Sequence, residues 1–269
     1  MFYRSLLFVP GNRPERFEKA CAAGADLVVI DLEDAVGPND KDAARDAVIK
    51  WLKDNDTSSV GVRINSVETD EFAKDTKALA DSGLSLPFVM LPKPDTKADI
   101  DKTAATLPDR IGTIAPVMES AHALLNAADI FSHERLDMAL FGGVDFSADI
   151  GSTLGWEALQ LARSTLAIAA AAHNVLVFDV PYLDVRDSEG CETETRRVKD
   201  LGIPARAAIH PAQIEPIHNA LSPSAEEIDH AQRLMAAFEA AAGNVALLDG
   251  KLIETPLVKK AQRILAFKD

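Results

Sequence analysis

Short, nearly uninterrupted apolar runs alternate along the chain with longer stretches whose apolar positions recur at helical spacing. That alternation is the pattern of repeated βα units around a parallel sheet. Eight runs fall at residues 6–9, 27–32, 60–64, 88–91, 113–117, 138–141, 175–178 and 207–209. Their continuous hydrophobicity suits strands buried on both faces. Pro14, Asp40 and Pro211 mark helix starts between them. Eight such units predict an α/β fold closed into a (β/α)8 TIM barrel over residues 1–221.

Residues 222–269 lie outside the barrel count. Ser222-Pro-Ser-Ala-Glu-Glu has the capping residue and early acids of a helix start, and the helix is expected to run to about residue 242. A break at Gly243-Asn244 precedes two short strands around an Asp249-Gly250 turn, and an amphipathic helix over 256–267 ends the chain. No repeat of 20–50 residues is evident.

With 269 residues and 47% hydrophobic content, the chain can bury one full-sized barrel core. Its formal charge of −14 argues against nucleic acid or an anionic membrane as partner, since both repel such a surface. A phosphate-bearing ligand on a local basic patch stays compatible. Cys21 and Cys191 are too far apart in sequence to suggest a disulfide framework or a cysteine-held zinc, which fits a reduced cytoplasm. Pro10 and Gly11 end the first apolar run too early for a signal segment or a membrane span.

In a barrel, chemistry gathers where strands end, and Asp31, Glu33, Arg63, Lys93, Glu119, Asp145 and His210 fall there. Glu119 and Asp145 close two successive apolar runs. Neighbouring parallel strands lie roughly 5 Å apart, so two carboxylates at one sheet edge can share a divalent ion. Carboxylates with room for water and substrate oxygens suit Mg2+. Each acid alone reads equally as a helix cap, and the matched positions favour the metal. Gly142-Gly143 allows substrate oxygens close to the backbone.

Asp31, Glu33 and Asp34 cluster ahead of a Gly-Pro turn, where loop capping is the bland alternative. Asp31 or Glu33 can orient Arg63 or hold a metal-bound water. Arg63 interrupts a buried strand, so its charge needs an anionic partner. The Asp31/Glu33 group and a substrate carboxylate both qualify, and dual use is expected. Arg13, Arg16 and Lys19 form either a solvated helix face or a basic patch for the phosphates of a large cofactor. His210 is expected to hydrogen-bond locally, and the other five histidines have no metal-ligand spacing.

Taken in order, Arg4-Ser-Leu-Leu-Phe-Val-Pro-Gly, Asp31-Leu-Glu-Asp-Ala-Val, Pro116-Val-Met-Glu-Ser, Gly142-Gly-Val-Asp-Phe-Ser-Ala-Asp-Ile-Gly and Ala208-Ile-His-Pro-Ala-Gln-Ile resemble the citrate lyase β-subunit-like family. That family sits among metal-dependent aldolase and lyase barrels that include malyl-CoA and citramalyl-CoA lyases. The resemblance implies a Mg2+-dependent, or Mn2+-dependent, cleavage of a 3-hydroxyacyl-CoA into acetyl-CoA and a 2-oxo acid.

By position, the resemblance makes Glu119 and Asp145 the metal ligands and Arg63 the contact to the 2-oxo acid. Phe8, Arg13 and Lys19 match positions that touch coenzyme A, and Asp249 matches an acid that a C-terminal lid presents to a neighbouring subunit. A homotrimer or dimer of trimers in the cytoplasm follows from the same likeness. Gly143-Val144 departs from the commonest family pattern, so oxo-acid selectivity is not carried over. Other readings of the same residues are a malyl-CoA thioesterase, a citrate lyase subunit acting on an acyl-carrier-protein thioester, an aldolase acting on free pyruvate, and a non-catalytic acyl-CoA-binding subunit.

Overall fold

A computed structural model describes residues 3–241 and 247–267, so the break expected at Gly243-Asn244 lies outside the described residues. Eight parallel strands close into a barrel in sequence order: β1 (Ser5–Pro10), β2 (Leu27–Asp31), β3 (Val60–Arg63), β4 (Leu86–Leu91), β5 (Ile111–Met118), β6 (Met138–Phe141), β7 (Leu176–Asp179) and β8 (Ala205–Ala208). Helices follow the strands and cover the outside, as expected of the α/β barrel.

Side chains alternate across each strand, and this parity decides what reaches the barrel interior. Leu6, Leu27, Val29, Phe88, Met90, Val117, Leu140 and Phe178 pack together inside. Leu7, Val28, Ile30, Val62 and Val89 join the layer beneath the helices. The same two-residue period sends Phe8, Asp31 and Arg63 inward at the C-terminal mouth, and Asp31 and Arg63 are register partners across β2 and β3.

Strand β8 begins two residues before the expected segment. Its sequence, Ala-Arg-Ala-Ala, carries little hydrophobic signal, and the charge of Arg206 hides it. Arg206 is nonetheless fully buried on the outer face of the barrel. It donates to the Val180 carbonyl and Thr195 Oγ1, both at 3.1 Å, and is ion-paired with Asp179 and Glu194.

The chain from Ser222 forms a second compact unit. Ser224 and Glu227 make a reciprocal capping box at the start of the helix Ala225–Ala240. Strands β9 (Leu247–Leu248) and β10 (Lys251–Leu252) pair antiparallel around Asp249 and Gly250, with φ of 49° and 77°. Two successive positive φ values suit a tight hairpin turn of Asp-Gly sequence. Ala231, Leu234, Ile253, Val258 and Ala261 form the unit's own apolar cluster with the helix Thr255–Leu265. Among the described residues no helix is long and apolar enough to cross a membrane.

Two features of the barrel generate tests. A Cβ on Gly61 would lie 2.3 Å from the Phe88 ring, which is fully buried inside the barrel. Gly61→Ala is expected to destabilise by about 1–3 kcal/mol through overpacking. In urea titrations the midpoint should fall with the slope unchanged, and Phe88→Leu in the same chain should recover part of the loss.

At the opposite end, Asp26 accepts the Ser5 N–H at 3.0 Å and faces His218, whose Nε2 lies 2.8 Å from Ser5 Oγ. Burial pushes the Asp26 carboxyl up, but hydrogen bonds from His218 and the Arg4 and Ser5 amides outweigh it and hold the pKa below the ordinary 3.8. Its stabilisation is therefore full above about pH 4 and disappears as pH falls through the lowered value. The stability gap between wild type and Asp26→Asn should be open at pH 7 and close in strong acid, as read by urea melts across pH.

Candidate active site

The barrel mouth holds a cavity lined by Phe8, Arg63, Glu119, Val144 and Asp145, with Val117, Leu140, Phe141, Gly142, Val180, Pro181 and Ile209 completing it. Arg63 reaches it from the last position of β3. Its Nε and Nη2 donate to the two Asp31 oxygens at 2.7 and 2.6 Å, and Nη1 lies 3.1 Å from Glu33 Oε2. The guanidinium also stands 5.2 Å from the centre of the Phe8 ring. Burial disfavours its charge, but Asp31, Glu33 and Asp34 overcome that and push its pKa upward. Arg63 is a permanent cation at the cavity wall.

The loop after β2 is built to hold these acids. Asp31 also accepts the backbone N–H of Glu33 at 2.8 Å and of Ala35 at 3.1 Å. Lys41 Nζ donates to the Leu32 and Glu33 carbonyls and to Asn65 Oδ1, each at 2.7 Å. Burial raises the Glu33 pKa against the opposing pull of Arg63 and Lys93.

Lys93 ties this cluster to the next strand. It occupies the left-handed region with φ of 53°, an uncommon conformation for a residue with a side chain. That turn lets its backbone N–H donate to Glu119 Oε1 at 2.8 Å while its Nζ donates to Glu33 Oε1 at 2.6 Å. Position alone placed Lys93 at the mouth; its double contact depends on the left-handed backbone, which the residue type conceals. Lys41 and Asn65 gave no sequence signal for their support of the loop.

Glu119 follows β5 directly and is 5% exposed. Asp145 does not end a strand: β6 stops at Phe141, and Asp145 sits in the first turn of the helix Gly143–Asp149. The expected pair at one sheet edge is corrected in this respect. The chain can turn so sharply because Gly142 lies against Glu119, where a Cβ would come within 2.4 Å of the glutamate Cβ. Glu119 and Asp145 therefore line one cavity although they come from different kinds of element.

Burial is the main force raising the Glu119 pKa to about 8, the Lys93 amide opposes it, and the charges of Asp145 and Glu33 add to it. Asp145 is exposed and has no hydrogen-bond or ion-pair partner among the described residues. Two oxygen donors repelling one another across a cavity fit a hard divalent cation. Among the described residues no group of three or more His, Cys, Asp or Glu side chains is placed to hold a metal. An ion held by Glu119 and Asp145 would therefore have its further coordination positions open.

A second groove adjoins the first, sharing Phe8 and Ile209, and is lined by Arg16, Lys19, His210 and Pro10 among others. Lys19 lines this groove. Arg13 instead pairs with Glu15 at 2.6 Å, and Arg16 supplies the groove's guanidinium. His210 accepts the Ala212 N–H at 3.1 Å, the local bond expected of it. Gly143 is buried at the helix start, its virtual Cβ 3.2 Å from Val180. Asp249 belongs to the second unit, where Arg233 Nη2 lies 2.7 Å from each of its oxygens.

Relatives sharpen the picture. The chain is 34% identical to a (3S)-malyl-CoA thioesterase of Cereibacter sphaeroides, over 98% of this chain and 94% of the relative. It is 32% identical to the human mitochondrial citramalyl-CoA lyase, over 96% and 83%. The CitE protein of Mycobacterium tuberculosis, solved with magnesium, acetoacetate and coenzyme A, superposes with a TM-score of 0.87 at 32% identity, covering 98% of this chain and 97% of that one. The family model described as HpcH/HpaI aldolase/citrate lyase matches residues 4–211, and with a closed eight-stranded barrel and acids at its mouth, the chain belongs to that family.

Proposed function

We propose that the protein is a Mg2+-dependent carbon–carbon lyase that splits a 3-hydroxyacyl-CoA thioester into acetyl-CoA and a 2-oxo acid. The observation that carries this reading is the single cavity in which Glu119 and Asp145 meet the permanent cation Arg63 among apolar walls. The relatives named for citramalyl-CoA cleavage and malyl-CoA hydrolysis, and the magnesium and coenzyme A bound to CitE, support it. Magnesium, when bound by Glu119 and Asp145, supplies Lewis acidity that lowers the pKa of a coordinated hydroxyl and orients the substrate oxygens.

This chain's residues do the rest. Arg63, locked on Asp31 and beside Glu33, faces the oxygen that becomes the 2-oxo-acid carbonyl and stabilises charge there without reorganising. The hydroxyl proton passes to solvent, the electron pair of the breaking C–C bond becomes the thioester enolate while the C–O bond becomes the carbonyl of the 2-oxo acid, and Asp249 from a neighbouring subunit, having taken a proton from solvent, returns it to the enolate carbon. That role requires Asp249 to exchange Arg233 for the active site, with residues 222–269 acting as a lid. The groove with Arg16 and Lys19 takes the coenzyme A phosphates, and Phe8 borders both subsites.

Thioester hydrolysis is the second reading, favoured by the relative with that name. Products separate the two. With Mg2+ and malyl-, citramalyl- and citryl-CoA, mass spectrometry should show acetyl-CoA plus a 2-oxo acid, whereas free CoA plus an intact hydroxy acid means hydrolysis. Glu119→Ala and Asp145→Ala should each abolish Mg2+-dependent turnover, and full wild-type activity in excess chelator would sink the metal assignment. Asp249→Asn should leave thioester affinity near wild type while lowering kcat by about 10²-fold, the ordinary scale for a general acid or base. Steady-state kinetics check this, and an unchanged kcat removes Asp249 from the reaction.

A further inference from the structure

We infer that the acyl substrate carries one free carboxylate, and that the 2-oxo acid it yields bears a short alkyl group, methyl best, where a citryl thioester would place a second carboxylate. This rests on the proposed cleavage reaction and adds which member of the substrate class fits. The cavity offers one cation, Arg63, and its fork is already engaged by Asp31 with Glu33 beside it. Lys93 is turned away to Glu33 and Asp34.

The remaining walls are apolar. Val144, Val180, Pro181 and Ile209 stand around the two carboxylates with no donor side chain among them. A second substrate carboxylate would face these walls with no side-chain cation or donor to meet it, partly desolvated, which disfavours it. A methyl group meets the opposite condition. Val144 and Ile209 are 45% and 44% exposed and line the same cavity, so a short alkyl group packed against either removes apolar surface from water.

The wall is also held in place. Gly143 packs against Val180, with a virtual Cβ 3.2 Å from the valine Cβ. The Val180 carbonyl accepts from the buried Arg206 Nε at 3.1 Å. Val180 cannot withdraw easily to admit a hydrated carboxylate. Val144 lies on the rim with a free edge and is the residue at which selectivity can be altered.

The test compares kcat/KM for citramalyl-, malyl- and citryl-CoA, the three giving oxo acids that carry methyl, hydrogen and carboxymethyl groups. Citramalyl-CoA should exceed malyl-CoA by about 10-fold or more, the usual worth of one methyl in an apolar pocket. It should exceed citryl-CoA by about 100-fold or more, since an unpaired buried polar group is rejected more strongly than a missing methyl. Calorimetric binding of pyruvate and oxaloacetate in the presence of Mg2+ should favour pyruvate, and Val144→Arg should narrow the citramalyl-to-citryl ratio by about 10-fold or more.

Citryl-CoA cleaved within 10-fold of citramalyl-CoA, malyl-CoA preferred over citramalyl-CoA, or oxaloacetate bound more tightly than pyruvate overturns this inference and leaves the lyase reading standing. If none of the three thioesters is processed, the lyase reading falls. The order of oxo-acid binding then decides the inference alone.

Discussion

A guanidinium can persist inside the end of a barrel only if its charge is matched where it stands. Arg63 meets that condition through Asp31, its register partner on the adjacent strand, with two hydrogen bonds of 2.7 and 2.6 Å. Because successive strand residues alternate between the two faces, the requirement propagates. Asp31 faces inward only if Leu27 and Val29 do, and Arg63 only if Gly61 does, so the ion pair and the packed interior share one register. A slip of one residue on either strand would turn one of the two charges toward the helices and leave the other unpaired at the mouth.

The other side of the sheet shows the same rule at work. Arg163 and Arg206 meet Asp179 and Glu194 in the layer between barrel and helices, with Arg163, Arg206 and Asp179 almost wholly buried. Such pairs contribute little net stability against an apolar alternative, but removing one partner is severe. They fix the end of β7 and so the position of Val180. Inner charges thus shape the mouth, and outer ones hold Val180 in the wall of its cavity.

Much of this was legible in the chain. Eight apolar runs announced the barrel, and the acids and cations at their ends announced the mouth, because burial on both faces leaves a strand little but hydrophobic residues. The reading failed where a local feature outweighed the pattern. Strand β8 was displaced because Arg206 broke its apolar run, although its charge is neutralised by groups distant in sequence. Asp145 closes the apolar run in the sequence but lies in a helix, because Gly142-Gly143 does not reveal where extended backbone gives way to helix. The contacts of Lys93 rest on a backbone angle, and those of Lys41 on three acceptors brought together by folding.

Gly142 and Val144 are two residues apart and subject to opposite constraints. At Gly142 any side chain collides with Glu119, so that position is frozen for as long as the glutamate is kept. At Val144 the side chain is half open to solvent at the rim of the cavity, so a larger or polar replacement has room to point outward. Descent from a common ancestor could therefore vary the rim while the two acids of the mouth stayed fixed. A single barrel mouth separates what can drift from what cannot within one turn of helix.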